Sequence, residues 1–189
     1  RHENDKLSRS QVLSLEGAAK PDMASLTLSS LNFMHSASVN TPQTIEYLAG
    51  QMLEVGIKAE LEVFDLGMLN MVHVLIRKKL IQPPFYINLI LGNISSAQAN
   101  VNHLSALLAG LPSNSVVCIG GLGRFQITAN ILGLLFADGV RVGLEDNLKL
   151  GNKSASNTQL IERVIYQANL LGKEQMSLDL ARQIVLGKS

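Results

Sequence analysis

The chain is predicted to adopt an α/β fold, as part of an eight-stranded (β/α)8 barrel, on three observations. Strand-like and helix-like segments alternate at intervals of roughly 25 to 35 residues, the length of a βα unit in a parallel sheet. Five such units follow one another without a composition break, low-complexity segment or flexible linker. Strand after strand has one aliphatic side and one side bearing polar or charged groups. Five units also fit a complete doubly wound sheet, but helices cover both faces of that sheet and both should be apolar. A barrel is apolar beneath its helices, and its interior turns polar near the carboxyl-end mouth, where active sites sit.

Polar, helix-compatible residues open the chain, with Leu7, Val12, Leu13 and Leu15 as an apolar side. "MASLTLSSLNF" (23–33) alternates like a strand, placing Leu26 and Leu28 on one face and Ser25, Thr27 and Ser29 on the other. "NTPQTIEYLAGQMLEVG" holds a helix start, with Thr41 as N-cap and Pro42 at the first helical position, and a stop at Gly56. "KAELEVFD" (58–65) is the second strand, with Leu61 and Val63 opposite Glu60, Glu62 and Phe64. "LGMLNMVHVLIRKKL" is the next helix. "FYINLILG" (85–92), "VVCIGGLG" (116–123) and "VRVGLED" (140–146) read as three further strands, with helices over 98–109 and 125–137 between them. Ser156 caps "NTQLIERVIYQANLLG", and a short helix occupies 177–186.

With 189 residues, a net charge of +1, 47% apolar and 16% charged residues, the composition is that of one globular domain. The neutral balance gives no electrostatic basis for nucleic-acid binding. The basic cluster Arg77, Lys78 and Lys79 lacks interleaved aromatics and reads as a solvated helix end. A single cysteine, Cys118, excludes an internal disulfide framework and fits a reducing compartment. No apolar run reaches the roughly 18 residues of a membrane span. The opening "RHENDKLSRS" lacks a signal-peptide core, so a cytoplasmic location is expected.

The chemistry concentrates in "RVGLEDNLKL" (141–150), where an arginine and two adjacent carboxylates interrupt an apolar run. Burying an unpaired charge costs several kcal/mol, about 3–5 where a partner is lost, so these groups either neutralise one another or hold a metal or substrate. Along a continuous strand Arg141 and Glu145 share a side with Cα atoms about 13 Å apart. Asp146 reaches the same mouth only where the strand ends and the chain turns, which "EDNL" allows. The set offers a carboxylate suited to a metal, a second suited to proton transfer, and a guanidinium to hold an anion. A purely structural ion network is the alternative. On the second strand Glu62 lies nearer the mouth than Glu60, which reads as a deeper structural partner. Ser30 and Asn32 could bind a substrate carboxylate or serve ordinary turn chemistry. "GGLGRFQ" (120–126) is a glycine-rich strand-to-helix loop, open to phosphate binding or simply to a tight turn. No histidine pair has ligand spacing: His2 is terminal, His35 lies in a loop, and His73 and His103 fall on predicted helices.

Taken in order, "MASLTLSSLNF", "GIKAELEVFDLGML", "PPFYINLILG" and "VRVGLEDNLKL" followed by "SNTQLIERV" resemble the β-keto acid cleavage enzymes, the 3-keto-5-aminohexanoate cleavage enzyme family. The resemblance implies a zinc-dependent TIM barrel that condenses a β-keto acid with acetyl-CoA, releasing acetoacetate and a new CoA ester. It also implies a homo-oligomer and a place in amino-acid catabolism such as lysine fermentation. By position in the motif, Glu145 is similar to the family's zinc-binding glutamate, Asp146 to its catalytic acid/base and Arg141 to the arginine working with it. Glu62 matches the motif glutamate near the substrate, and Ser30 and Asn32 match positions that cradle the substrate carboxylate. Phe125 departs from the histidine that many relatives carry after "GR". On this resemblance residues 1–189 are expected to be the carboxyl-terminal part of a single barrel domain, holding about the last five βα units. The paired zinc histidines would then lie outside it, and this piece alone would be inactive. The alternative from another class is a non-catalytic α/β domain that binds a small anionic ligand or a partner chain.

Overall fold

The structure is a computed structural model that describes residues 5–187, with side chains from residue 8 onward. His2 and the side chain of Leu7 lie outside the described residues. Five parallel strands form the main sheet: β1 (Met23–Thr27), β2 (Lys58–Val63), β3 (Phe85–Leu91), β4 (Ser115–Gly121) and β5 (Gly139–Val140). They pair strictly in chain order. A doubly wound sheet reverses its order at a switch point. A sheet that grows in one direction only is an arc of a barrel, as the polarity of its faces predicts.

A short helix, α1 (Asp5–Ser10), precedes the sheet. The crossovers are α2 (Pro42–Val55), α3 (Leu66–Arg77), α4 (Val101–Ala109) and α5 (Gln126–Phe136); α6 (Asn157–Leu170) and α7 (Leu178–Leu186) follow the last strand. Helix α2 begins and ends where its sequence says. Thr41 Oγ1 accepts from Thr44 N at 3.2 Å, Pro42 needs no N–H partner in the first turn, and Gly56 closes the helix at φ 70°. Helix α4 starts at Val101 rather than 98, because the Asn100 side chain caps it by accepting from His103 N at 2.9 Å.

One core joins sheet and helices. Leu26, Leu61, Ile87, Leu89 and Ile119 from the sheet pack against Ile45, Leu48, Met68, Val72, Leu104 and Ala129 from the helices. Each such aliphatic side chain contributes about 1.5–3 kcal/mol by leaving water. The opposite face carries Ser25 and Thr27, Glu60 and Glu62, Tyr86 and Asn88, and Cys118. The register sets Thr27, Glu62, Asn88 and Cys118 side by side in one row. That row is the inside of the barrel wall.

The last strand is shorter than its sequence suggests. It leaves the sheet after Val140 instead of running to Asp146. Arg141 N still donates to Ile119 O at 3.1 Å, but the chain then turns, and Asp146 N and Asn147 N both donate to Gly143 O, at 3.3 and 3.1 Å. The first strand likewise stops at Thr27, and Leu31–Asn32 pairs with Ala37–Ser38 in a small hairpin over the mouth. Among the described residues no helix is long and apolar enough to cross a membrane.

Candidate active site

The site grows from the carboxyl ends of β1, β2, β4 and β5. Arg141, one residue beyond β5, is its hub, and its side chain is only 14% exposed. Nε donates to Asp146 Oδ2 at 2.8 Å and Nη2 to Asp146 Oδ1 at 3.3 Å, a two-point grip. Nη1 donates to Glu62 Oε1 at 2.9 Å and to Glu60 Oε1 at 3.3 Å. Nη2 also lies 3.2 Å from Glu145 Oε2. One guanidinium therefore gathers four carboxylates, using the planar fork of donors that lysine lacks.

Room for that side chain comes from Gly120 on β4. A Cβ there would lie 3.0 Å from Arg141 Cβ and 3.2 Å from its Cγ, so the arginine stem lies across bare backbone. The two glutamates are fixed from the neighbouring strand. Ser25 Oγ donates to Glu60 Oε2 and Thr27 Oγ1 to Glu62 Oε2, each at 2.6 Å, and Asn88 Nδ2 also donates to Glu60. Burial pushes the Glu62 carboxyl above its ordinary value, while the Thr27 bond and the Arg141 charge pull the other way. Burial also works against the Arg141 cation, but the Asp146 bonds, with the charges of Asp146, Glu62 and Glu145, outweigh it and hold the guanidinium above its ordinary value.

The continuous strand expected between Arg141 and Glu145 is replaced by a turn, and their charged ends lie 3.2 Å apart. Asp146 reaches the mouth by that same turn. Arg141, Glu62, Glu145 and Asp146 are thus brought together, with Glu60 joining them. Asp146 is buried, whereas the Glu145 side chain is 83% exposed. Both acids line an open cleft of about 1390 Å³, shared with Phe33 and His35 of the hairpin, Phe125 and Arg163. Ser30 and Asn32 stand apart from the cluster. The Ser30 hydroxyl accepts from Asn40 N at 2.8 Å, and Asn32 exposes its side chain while its carbonyl accepts from Asn93 and Ser95.

Three N–H groups of the glycine-rich loop after β4 are already paired with backbone carbonyls. Leu122 N donates to Leu91 O, Gly123 N to Asp146 O at 2.7 Å, and Phe125 N to Leu122 O. Phe125 packs over Gly92, and the Arg124 guanidinium sits 5.0 Å from the Phe125 ring centre. Cys118 is buried within the wall, where it accepts from Tyr86 O–H at 3.3 Å; burial raises its pKa, so it is a poor nucleophile.

Among the described residues no three His, Cys, Asp or Glu side chains are grouped to hold a metal. His73 contacts Gly110 O, and His103 Nδ1 accepts from Gln98 N. Glu60, Glu62 and Asp146 are committed to Arg141, leaving Glu145 as one accessible oxygen donor. These residues alone do not form a zinc site.

Sequence reasoning missed Gly120, Thr27 and the helix residues Gln126, Asn130 and Arg163. Parity held a signal for Thr27, since a strand neighbour facing the same side as Glu62 is its natural partner. Gly120 stood out only as part of the glycine-rich stretch 120–126; its role beside Arg141 depends on the path of that side chain.

A one-directional parallel sheet with ionised groups at its carboxyl mouth is barrel architecture, and solved structures agree. The structure described as a ternary complex of ObcA with C4-CoA adduct and oxalate matches with a TM-score of 0.72 at 19% identity, over 93% of this chain and 48% of that one. The family model for beta-keto acid cleavage enzymes matches residues 2–186, and the chain belongs to that family. It is 36% identical over 168 residues to the 3-keto-5-aminohexanoate cleavage enzyme of Fusobacterium nucleatum, covering 87% of this chain and 61% of the relative. It is 33% identical to the enzyme of the same name from Acetoanaerobium sticklandii, over 88% of this chain and 62% of the relative. The 3-dehydrocarnitine:acetyl-CoA trimethylamine transferase of Rhizobium meliloti is 32% identical, over 80% of this chain and 52% of the relative. The chain therefore spans about three-fifths of the length of the first of these relatives.

Proposed function

We propose that this protein exchanges the acyl group of a β-keto acid with acetyl-CoA, releasing acetoacetate and a new acyl-CoA. The observation that carries the reading is the two-point grip of Arg141 on Asp146 at the edge of the cleft, with Glu62 on the same guanidinium. Asp146 is the group that moves the proton needed for carbon–carbon bond exchange. Arg141 orients Asp146 and compensates its charge. Glu62, itself braced by Thr27, holds the arginine from the opposite side.

Family membership and relatives named for acetyl-CoA-dependent transfers support acetyl-CoA as co-substrate. Glu145 would supply one ligand to a zinc ion, whose Lewis acidity would polarise the keto oxygen; the remaining ligands must come from outside the described residues. Asn32, exposed on the hairpin over the mouth, and Ser30 beside it are proposed to receive the substrate carboxylate. Exposed Ile127, Ile131 and Leu135 recur every fourth residue along α5, which supports assembly into a homo-oligomer.

The test is an assay of the complete gene product with acetyl-CoA and a panel of β-keto acids. Asp146→Asn should lower turnover by about 10²–10⁴-fold, the usual worth of a general acid–base group. Glu145→Gln should lower both zinc content and rate. Undiminished rates in both variants would remove these residues from the mechanism.

A further inference from the structure

Helix α5 carries two fully buried amides, Gln126 and Asn130, one turn apart and outside the carboxylate cluster. Each is used at both ends. Asn130 Nδ2 donates to the carbonyl of Arg141 at 2.8 Å, and Gln126 Nε2 donates to the carbonyl of Gly143 at 3.0 Å. Their oxygens face the other way, and both accept from Nη2 of Arg163 on α6, at 2.9 and 3.1 Å. None of the ion pairs among the described residues involves Arg163. Its Nε is buried without a partner, and burial lowers its pKa. The partly buried guanidinium thus faces two neutral amides rather than an acid, a pairing that serves a purpose other than charge neutralisation.

The chemistry of the groups suggests that purpose. A guanidinium only donates, so an amide facing it must present its oxygen. Its NH2 is then turned to the opposite side, where the carbonyls of Arg141 and Gly143 lie. We propose that Arg163 is a positioning residue that, through Asn130 and Gln126, clamps the backbone of Arg141 and Gly143 and so aims the Arg141 guanidinium at Asp146 and Glu62. The clamp holds the backbone from the helix layer, while Gly120 leaves room for the stem on the barrel side. The kinetic consequence rests on the proposed function; the geometric consequence does not.

The test uses the complete gene product labelled with ¹⁵N-arginine, reading solvent exchange of Arg141 Nε–H by NMR beside kcat and the KM for acetyl-CoA. Arg163→Met removes the donor. Asn130→Asp keeps an acceptor that Arg163 can pair with, but sets an oxygen against the Arg141 carbonyl. Displacement of reacting groups by about 1 Å costs on the order of 10²-fold in rate, so both variants should lower kcat by about 10- to 100-fold with KM held within about twofold. Both should also speed Nε–H exchange by about tenfold or more, the signature of a hydrogen bond to Asp146 weakened by about 1.4 kcal/mol. Arg163→Lys, which still donates, should recover most of both losses. A merely structural Arg163 requires that Asn130→Asp, steadied by its new ion pair, exchange and turn over like the wild type, and that result overturns the proposal. If the wild-type protein cleaves no β-keto acid, the functional reading fails on its own and the exchange rates still decide the clamp.

Discussion

Replacing Arg141 with methionine removes the one cation of a four-carboxylate cluster while keeping most of its stem. The cost can be worked from burial. The side chains of Asp146 and Glu62 are 5% and 12% exposed, so both would be left charged, unpaired and largely out of water. Breaking a buried pair in this way costs about 3–5 kcal/mol. Glu145, at 83% side-chain exposure, adds almost nothing, because solvent already screens it. The expected loss is therefore about 3–5 kcal/mol near neutral pH, a large share of the 5–15 kcal/mol typical of a domain.

Acid should soften it. Burial raises the Glu62 pKa, so its contribution to stability is fully present below its ordinary value of 4.5 and is lost as pH rises through the folded value. Without Arg141 an opposing pull disappears, the folded value climbs further, and the variant should recover as pH falls from neutrality towards the ordinary value of 4.5. Urea titrations across that range measure it. A deficit below about 1 kcal/mol near neutrality, or one that stays constant as pH falls towards 4.5, would refute the charge argument.

Two smaller perturbations test the frame around the site. Gly92 has φ 85°, and a Cβ there would lie 2.6 Å from Phe125 Cδ2; Gly92→Ala should cost about 2 kcal/mol or more, seen as a lower Tm and a displaced Phe125 ring. Ser156 and Gln159 form a reciprocal capping box at the start of α6, so Ser156→Ala should cost about 1 kcal/mol by urea midpoint and Ser156→Asp should recover most of it.

Much of the frame was legible because local signals carry it. Thr41, Pro42 and Gly56 mark the ends of α2, and Ser156 marks the start of α6, since capping bonds join residues only a few positions apart. Residue alternation placed Glu60 and Glu62 on one face and Leu61 and Val63 on the other, because the strand repeat is two whatever the surroundings. Strand length was less legible. "VRVGLED" has the composition of a strand, but a strand needs a neighbour, and the ladder to β4 ends near Ile119.

The site itself was legible only in part. The residues of "RVGLED" stood out as charges in an apolar run, and Glu62 as an acid near a strand end. That all of them converge on one guanidinium could not be read from spacing, since Arg141 lies 79 positions from Glu62 and 81 from Glu60. The amide clamp left no sequence signal, because Gln126, Asn130 and Arg163 look like ordinary polar residues on amphipathic helices.

By itself the sequence determined where α2 and α6 begin, which strand faces are polar, and which family's motifs are present. These depend on a residue's own chemistry and on neighbours within about one turn or one pleat. Only the tertiary structure decided that the chain turns after Arg141, that bare backbone at Gly120 admits its side chain, and that four carboxylates share it. Those outcomes arise from the packing of strands brought side by side from distant parts of the chain, where backbone path and side-chain direction are set together by the whole sheet.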